Sequence, residues 1–346
     1  MRFLHTADLH LGRSFPFSRP KDREEGRQDR FLTFKRILEC GASQSVDYLF
    51  LVGDIFEQEK VTPEEVDYVL ALLGDQQFET LLLLGNHDFK LYDYISRRLP
   101  ENVFLFEQGA LSEYRDEKRG IIFYGTSWDR DSYHRILQCS GEGFSDDYRH
   151  ILLHHGNWTG GDGYFPVDAN ILPFFDYIAL GHVHKPILYE NKLQMCGTPE
   201  PLDRTDRGRL GIVYGELSDM LSTKYIPIAH RILRHKTLNA SSEDVMEEMK
   251  AGLQDDRAIY SFQIAGAYSG ILDKEIRHAL DLADVAYEVE WARDLPKLIE
   301  RVYQAHEKDA LGEFIRRAGK LNEDEDTILA VCDMGIRSLL GEHYDS

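Results

Sequence analysis

At about 150 residues per domain the 346 residues are enough for two domains, and 42% hydrophobic with 11% aromatic residues suits a folded core rather than a disordered chain. The longest unbroken aliphatic run, Leu81–Leu84, is far below the ~18 residues of a membrane span, and the composition also excludes collagen-like and disulfide-rich secreted classes. With 40 basic against 60 acidic residues the formal charge is −20, so a nucleic acid would be repelled at long range unless cations, a local basic patch or a basic partner intervene.

The chain opens with a predicted strand, Arg2–Ala7. His5 and Asp8 precede any long apolar run, so no signal peptide is expected. A helix follows over about Arg27–Cys40, with Phe31, Phe34 and Leu38 on its apolar side. Around it, Arg13 to Arg36 holds eight basic residues against four acidic ones. Arg13, Arg23, Arg27 and Arg30 are therefore candidates for phosphate contacts, the alternative being a solvated helix face.

The next predicted strand is Tyr48–Val52. Thr62-Pro63-Glu64-Glu65 then reads as a capping box with proline at the first helical position, and Val66, Val69, Leu70 and Leu73 repeat at helical spacing. Further strands are expected at Thr80–Leu84, Gly120–Tyr124, His150–Leu153 and Tyr177–Leu180. The glycines of Gly160-Gly161-Asp162-Gly163 suit a turn, beside which Tyr164 is a candidate stacking platform.

After Met195, Gly211–Tyr214 and Lys224–Ile228 look like antiparallel strands. From Ala240 the pattern becomes a helix (Val245, Met246, Met249, Leu253), a strand (259–265), a helix (271–282) and a strand (285–291). This βαβ unit carries no ligand-type cluster. Pro296 opens a helical tail interrupted by the polar stretch 322–326. The expected organisation is therefore 1–235, 236–295 and 296–346. Cys40, Cys139, Cys196 and Cys332 form no C-x-x-C pair, so reduced thiols and a cytoplasmic location are expected.

Chemistry gathers where the first-domain strands end. The first delivers Asp8 and His10, two apart and hence on one face of an extended segment. The second delivers Gly53-Asp54, and the third Gly85-Asn86-His87-Asp88. Later runs deliver His154-His155-Gly156 and Gly181-His182-Val183-His184. In layered α/β proteins the carboxyl ends of strands converge on one crevice. A His/Asp/Asn set without sulfur suits manganese, iron or zinc, not a structural thiolate zinc. Asp8, His10, Asp54, Asn86, His154, His182 and His184 are too many for one ion with an open position. Two divalent ions sharing one carboxylate, about 3.5–4 Å apart, would use them all. Phosphoester hydrolysis is the reaction class that follows.

These motifs, present in order, resemble the calcineurin-like metallophosphoesterase superfamily. Asp8-Leu9-His10-Leu11-Gly12-Arg13, Gly53-Asp54-Ile55-Phe56, Ala179–Pro186 and Gly197-Thr198-Pro199-Glu200-Pro201-Leu202 resemble its SbcD-type DNA repair exonucleases. The resemblance implies a four-layer α/β/β/α sandwich with a small C-terminal α+β capping domain. It implies that Asp8, His10, Asp54 and His184 hold one metal and Asp54, Asn86, His154 and His182 the other, with Asp54 bridging. His155 is then a neighbour packed in the crevice. His87 would protonate the leaving oxygen, with Asp88 orienting that imidazole or its loop. The implied activity is manganese-dependent exonuclease and endonuclease cleavage of DNA in double-strand-break repair. The implied partners are an SbcC-type coiled-coil ATPase and a second copy of the chain, with no membrane. A small-molecule phosphodiesterase or nucleotidase on the same metal core is the alternative, and an inactive interaction subunit of an ATPase complex is another. Protein phosphatase is disfavoured, because Ile55-Phe56-Glu57 follows Asp54 where those enzymes place Asp-Arg-Gly.

Overall fold

Continuous apolar runs, rather than alternating ones, mark strands buried on both faces, and here they build two stacked sheets. The structure, a computed structural model, describes residues 1–138, 144–158, 164–190, 192–253, 255, 257–266, 270–292, 295–321 and 325–340. The chain divides into two compact units, Met1–Leu233 and Arg234–Ser346. The loop glycines 160–163 and Cys139 lie outside the described residues.

In the first unit the elements run β1 (Arg2–Thr6), α1 (Pro20–Gln44), β2 (Tyr48–Val52), α2 (Pro63–Gly74), β3 (Glu79–Leu83), α3 (Tyr92–Ser96) and β4 (Val103–Leu105). Then come β5 (Ser112–Asp116), β6 (Ile121–Thr126), β7 (Arg149–His155), β8 (Tyr177–Gly181), β9 (Ile187–Tyr189), β10 (Leu193–Met195), β11 (Gly211–Leu217) and β12 (Leu221–Pro227). One sheet has the order β12-β11-β1-β2-β3-β4 and the other β5-β6-β7-β8-β10-β9. The strands β1 to β4 are parallel, as are β6, β7, β8 and β10. Their carboxyl ends therefore share one edge of each sheet.

Phe3, Phe50 and Leu83 of the first sheet pack on Phe123, Leu153 and Tyr177 of the second. The outer face of the first sheet, through Leu4, Leu49 and Leu51, packs on α1 and α2. Ile122, Leu152 and Ile178 on the outer face of the second are covered by Phe165, Phe175 and a short 3-10 helix, Ala169–Phe174. The layers thus run α/β/β with a thin helical fourth layer. At the start of α2 the capping box forms, with the Glu65 amide donating to Thr62 Oγ1 at 3.3 Å and the Thr62 amide to Glu65 Oε2 at 2.8 Å. The first helix begins seven residues earlier than its apolar spacing indicates, at Pro20. Its first turns are charged and pack mainly through Gly26 and Asp22, so they lack the hydrophobic period that marks Phe31 to Leu38.

The second unit opens within β13 (Ile232–Asn239) and continues α4 (Val245–Lys250), β14 (Ala258–Ala265), α5 (Gly270–Leu282) and β15 (Ala286–Ala292). The strands β14 and β15 pair in parallel across the α5 crossover. Helices α6 (Leu295–His306), α7 (Ala310–Ala318) and α8 (Glu325–Leu340) follow, packed around Val302, Ile315 and Ile336. Among the described residues no helix is long and apolar enough to cross a membrane.

Candidate metal centre

Parallel pairing of β1 with β2 continues into their loops. The amides of Asp8, His10 and Leu11 donate to the carbonyls of Gly53, Asp54 and Ile55 at 3.1, 2.9 and 2.8 Å. This ladder brings Asp8, His10 and Asp54 together at the sheet edge. At Gly53, which has φ +79°, a Cβ would stand 2.3 Å from the His155 ring, and at Gly85 one would stand 2.3 Å from Asp54 Oδ1. Only glycine permits those approaches. Four non-glycine residues here, Asp8, His10, Asp54 and His182, have φ of 53°, 46°, 51° and 91°. Such backbone strain persists where surrounding structure enforces it, and it concentrates at functional sites.

Asp8, His10 and His184 offer ligand atoms within 4.8 Å of one another, and so do Asp54, His155 and His182. Asp54 Oδ2 lies 3.7 Å from His10 Nε2 and 3.2 Å from His155 Nε2, between the two groups. Asn86 Oδ1 is 3.2 Å from both His155 Nε2 and His182 Nδ1. The His182 amide donates to the Asp8 carboxylate at 3.1 and 3.2 Å, tying the last strand end to the first.

The donor set fits metal cations. Both ring nitrogens of buried His10 lack a hydrogen bond, a state that buried polar atoms rarely tolerate without another partner. Burial lowers His10 to about 4 and His182 to about 3, and it lowers His184 as well, which keeps these imidazoles neutral as ligands must be. Burial, opposed by His155 and assisted by the Asp54 charge, raises Asp8 to about 7. Burial disfavours charge on His155 too, but Asp54 raises it to about 9. Burial likewise opposes the Asp54 charge, yet His155, His10 and His87 hold that carboxyl well below its usual range. Two buried carboxylates among imidazoles are a donor set that divalent ions would suit, the cations taking the place of the protons on Asp8 and His155.

The structure corrects two expectations. His155, not His154, enters the cluster. Neighbouring residues of a strand point to opposite faces, and β7 sends Leu153 and His155 between the sheets. His154 faces outward, its Nε2 2.7 Å from the Phe165 carbonyl and its ring edge-on to Phe165. His155 Nδ1 lies 2.8 Å from the Val52 carbonyl, an anchor that leaves Nε2 facing Asp54. Of the two roles open to Asp88, it takes the loop and does not touch the His87 imidazole. It is buried and accepts the amides of Gly85, Ile55 and Phe56 at 2.6, 2.7 and 3.1 Å, clamping two loops together.

Arg30, second, is buried rather than phosphate-facing. Its guanidinium donates to the carbonyls of Arg13, Leu9 and Pro201 at 2.8, 3.4 and 2.6 Å, bracing the Asp8–His10 loop from behind. Arg27 is partly exposed and held by Glu65 and the Gly12 carbonyl. Arg23 is exposed, bonded to the Phe17 carbonyl, and Arg13 is partly exposed with Nη1 3.8 Å from Glu57.

Glu57 is the site residue that sequence reasoning missed as a functional group. Its Oε1 is 3.0 Å from His87 Nδ1 and its Oε2 3.5 Å from His10 Nδ1. The Glu57 hydrogen bond raises His87 above its usual value, outweighing burial. The His87 amide in turn donates to Asp54 Oδ1 at 2.8 Å. The only signal in the sequence was its place, three residues after Asp54 in the same strand-end loop.

Residues 1–186 match the calcineurin-like phosphoesterase family. The chain is 26% identical over 210 residues to the uncharacterized metallophosphoesterase YhaO of Bacillus subtilis, covering 54% of this chain and 49% of that protein. It is also 26% identical over 230 residues to the DNA double-strand break repair protein Mre11 of Methanopyrus kandleri, covering 58% and 49%. The chain thus spans about half the length of the curated relatives it matches. A dimetal phosphatase from Danio rerio superposes over 65% of this chain and 95% of its own, with 11% identity and a TM-score of 0.41.

Proposed function

Because this chain belongs to the calcineurin-like phosphoesterase family, a family of metal-dependent phosphoester hydrolases, we propose that it is a DNA nuclease that cleaves phosphodiester bonds with two divalent ions, manganese for preference. The observation that carries the two-ion reading is Asp54, whose Oδ2 stands between His10 Nε2 and His155 Nε2. Similarity to Mre11 supports DNA as the substrate.

In this reading Asp8, His10, Asp54 and His184 hold one cation, and Asp54, Asn86, His155 and His182 the other. When bound, the pair supplies Lewis-acid activation of water and of the phosphoryl group. His87, protonated, donates from Nε2 to the departing oxygen, while Glu57 accepts from Nδ1 and fixes the ring. Asp88 keeps the loops of Asn86 and Asp54 in register, and Arg30 braces the loop of Asp8 and His10. Arg13, beside Glu57 at the mouth, attracts the phosphate backbone, with Arg23 further along α1.

The chain's net charge of −20 and the internal use of Arg27 and Arg30 work against a polyanion. A coiled-coil ATPase of the SbcC type would add DNA-binding surface, a second copy of the chain would pair with it, and the expected reduced cysteines suit the cytoplasm. The same charge balance favours the second reading, a small-molecule phosphodiesterase. Purified protein with manganese on single-stranded, blunt and hairpin DNA, beside bis-p-nitrophenyl phosphate and cyclic nucleotides, tests both. Hydrolysis of the small diesters with every DNA left intact would overturn the nuclease reading.

A further inference from the structure

Rings line one flank of the metal centre. Trp128, fully buried, donates its indole N–H to the His155 carbonyl. Tyr133 stands edge-on to Trp128 with centroids 4.7 Å apart, and Tyr164 meets Tyr133 at 5.8 Å and 62°. Tyr164 then lies over the His182 ring at 4.6 Å, inclined by 31°. Both tyrosines are solvent-facing, 38% and 42% exposed. Neither hydroxyl has a hydrogen-bond partner among the described residues.

Packing alone explains Trp128, whose body is buried and whose N–H is satisfied. It does not explain two tyrosines that leave two-fifths of their area in water beside a charged cavity. Their rings meet at 62°, so a planar group lying face against one would meet the other at an angle. Glu57, His87 and Arg13 supply the polar and charged groups of the site. A substrate with a flat apolar group beside its phosphate matches this combination.

We propose that Tyr133 and Tyr164 form a base-stacking subsite that receives the nucleobase next to the scissile phosphate. The proposal rests on the nuclease reading and adds a selection rule to it. A base can enter the subsite only after leaving its own stack, so single strands and frayed ends are preferred over duplex interiors.

The test compares kcat/KM for the p-nitrophenyl ester of thymidine 5′-phosphate with that for methyl p-nitrophenyl phosphate, which share a leaving group. Tyr164→Leu and Tyr133→Leu are expected to lower the ratio of the two about tenfold, near the low end for base–aromatic stacking. Tyr164→Phe, which keeps the ring, should restore it. A ratio unmoved in both leucine variants overturns the proposal. A second measurement covers variants that fail to fold. In wild-type protein with calcium replacing manganese, 2-aminopurine beside the cleavage position of a single-stranded oligonucleotide should lose emission on binding, and bright 2-aminopurine in the saturated complex overturns the proposal. Intact DNA with normal ester hydrolysis would instead count against the nuclease reading alone.

Discussion

His87 Nδ1 and Glu57 Oε1 lie 3.0 Å apart, joining the strand-end loops that follow β2 and β3. The carboxylate adjacent to His87 in sequence, Asp88, is occupied with backbone amides, so Glu57 takes the orienting role. Since Glu57 raises His87 above its ordinary 6.5, the proton donor persists to higher pH. Glu57→Gln should shift the alkaline limb of the pH–rate profile downward and reduce kcat at pH 8 roughly tenfold on substrates with poor leaving groups. An unchanged alkaline limb would remove Glu57 from this role.

Asp54→Asn tests the shared carboxylate. The substitution removes the charge between the two groups, so elemental analysis after dialysis should find both cations lost and turnover reduced more than 100-fold, roughly the scale of losing a strong electrostatic contact. Full activity with two bound ions would end the two-metal reading.

His154 and His155 should separate cleanly. His155→Gln is expected to lose about one equivalent of bound metal. His154→Gln should keep both ions and lose about 1–2 kcal/mol of stability, because its buried hydrogen bond to the Phe165 carbonyl is disturbed. Metal titration and thermal melts on the two variants decide it.

Above about pH 6.5 the metal-free protein should become less stable as pH rises, whereas below it the lowered histidines His10, His182 and His184 act in the opposite direction. Asp8 is raised from 3.8 to about 7 and His155 from 6.5 to about 9, so in each case the folded state holds its proton more tightly than the unfolded chain. The Asp8 contribution fades between about pH 4 and 7, and that of His155 between about pH 6.5 and 9. Saturating manganese displaces these protons and should flatten the trend. Melts of chelated and loaded protein across pH 6.5 to 9 check it, and parallel curves would contradict the assignment.

The arginines divide by burial. Arg13→Gln and Arg23→Gln should each lower the slope of log K against log salt for DNA by about one, as expected for lost phosphate contacts. Arg30→Gln should destabilise the fold by about 3 kcal/mol, since three backbone carbonyls lose a charged donor. An equal slope change for Arg30→Gln in a folded protein would reverse that assignment.

The strands and the converging edge were legible because buried parallel strands carry unbroken apolar runs and deliver their ligands at the first polar residue. Tyr48–Val52 lies where its run predicts, and Asp8, His10, Asp54, Asn86, His182 and His184 meet at one edge. That same unbroken character hid the face of each residue in β7. With Ile151, Leu152 and Leu153 all apolar, no alternation says whether His154 or His155 turns inward; only the partner sheet decides. Which of its two open roles Asp88 takes was hidden because hydrogen bonds to backbone amides leave no trace in residue type, and Glu57 went unnoticed because its partners His87 and His10 come from other loops. Arg30 looks like its solvated neighbours on α1, and the carbonyls that enclose it come from loops as distant in sequence as Pro201.

The indole of Trp128 has a use of its own. Its N–H is bonded to the backbone of His155, with ring centroids 6.3 Å apart, in a chain with three tryptophans. A cation seated against that imidazole would alter the surroundings of the indole. Its emission is therefore expected to change as metal is added, an optical gauge of loading that needs no label or substrate.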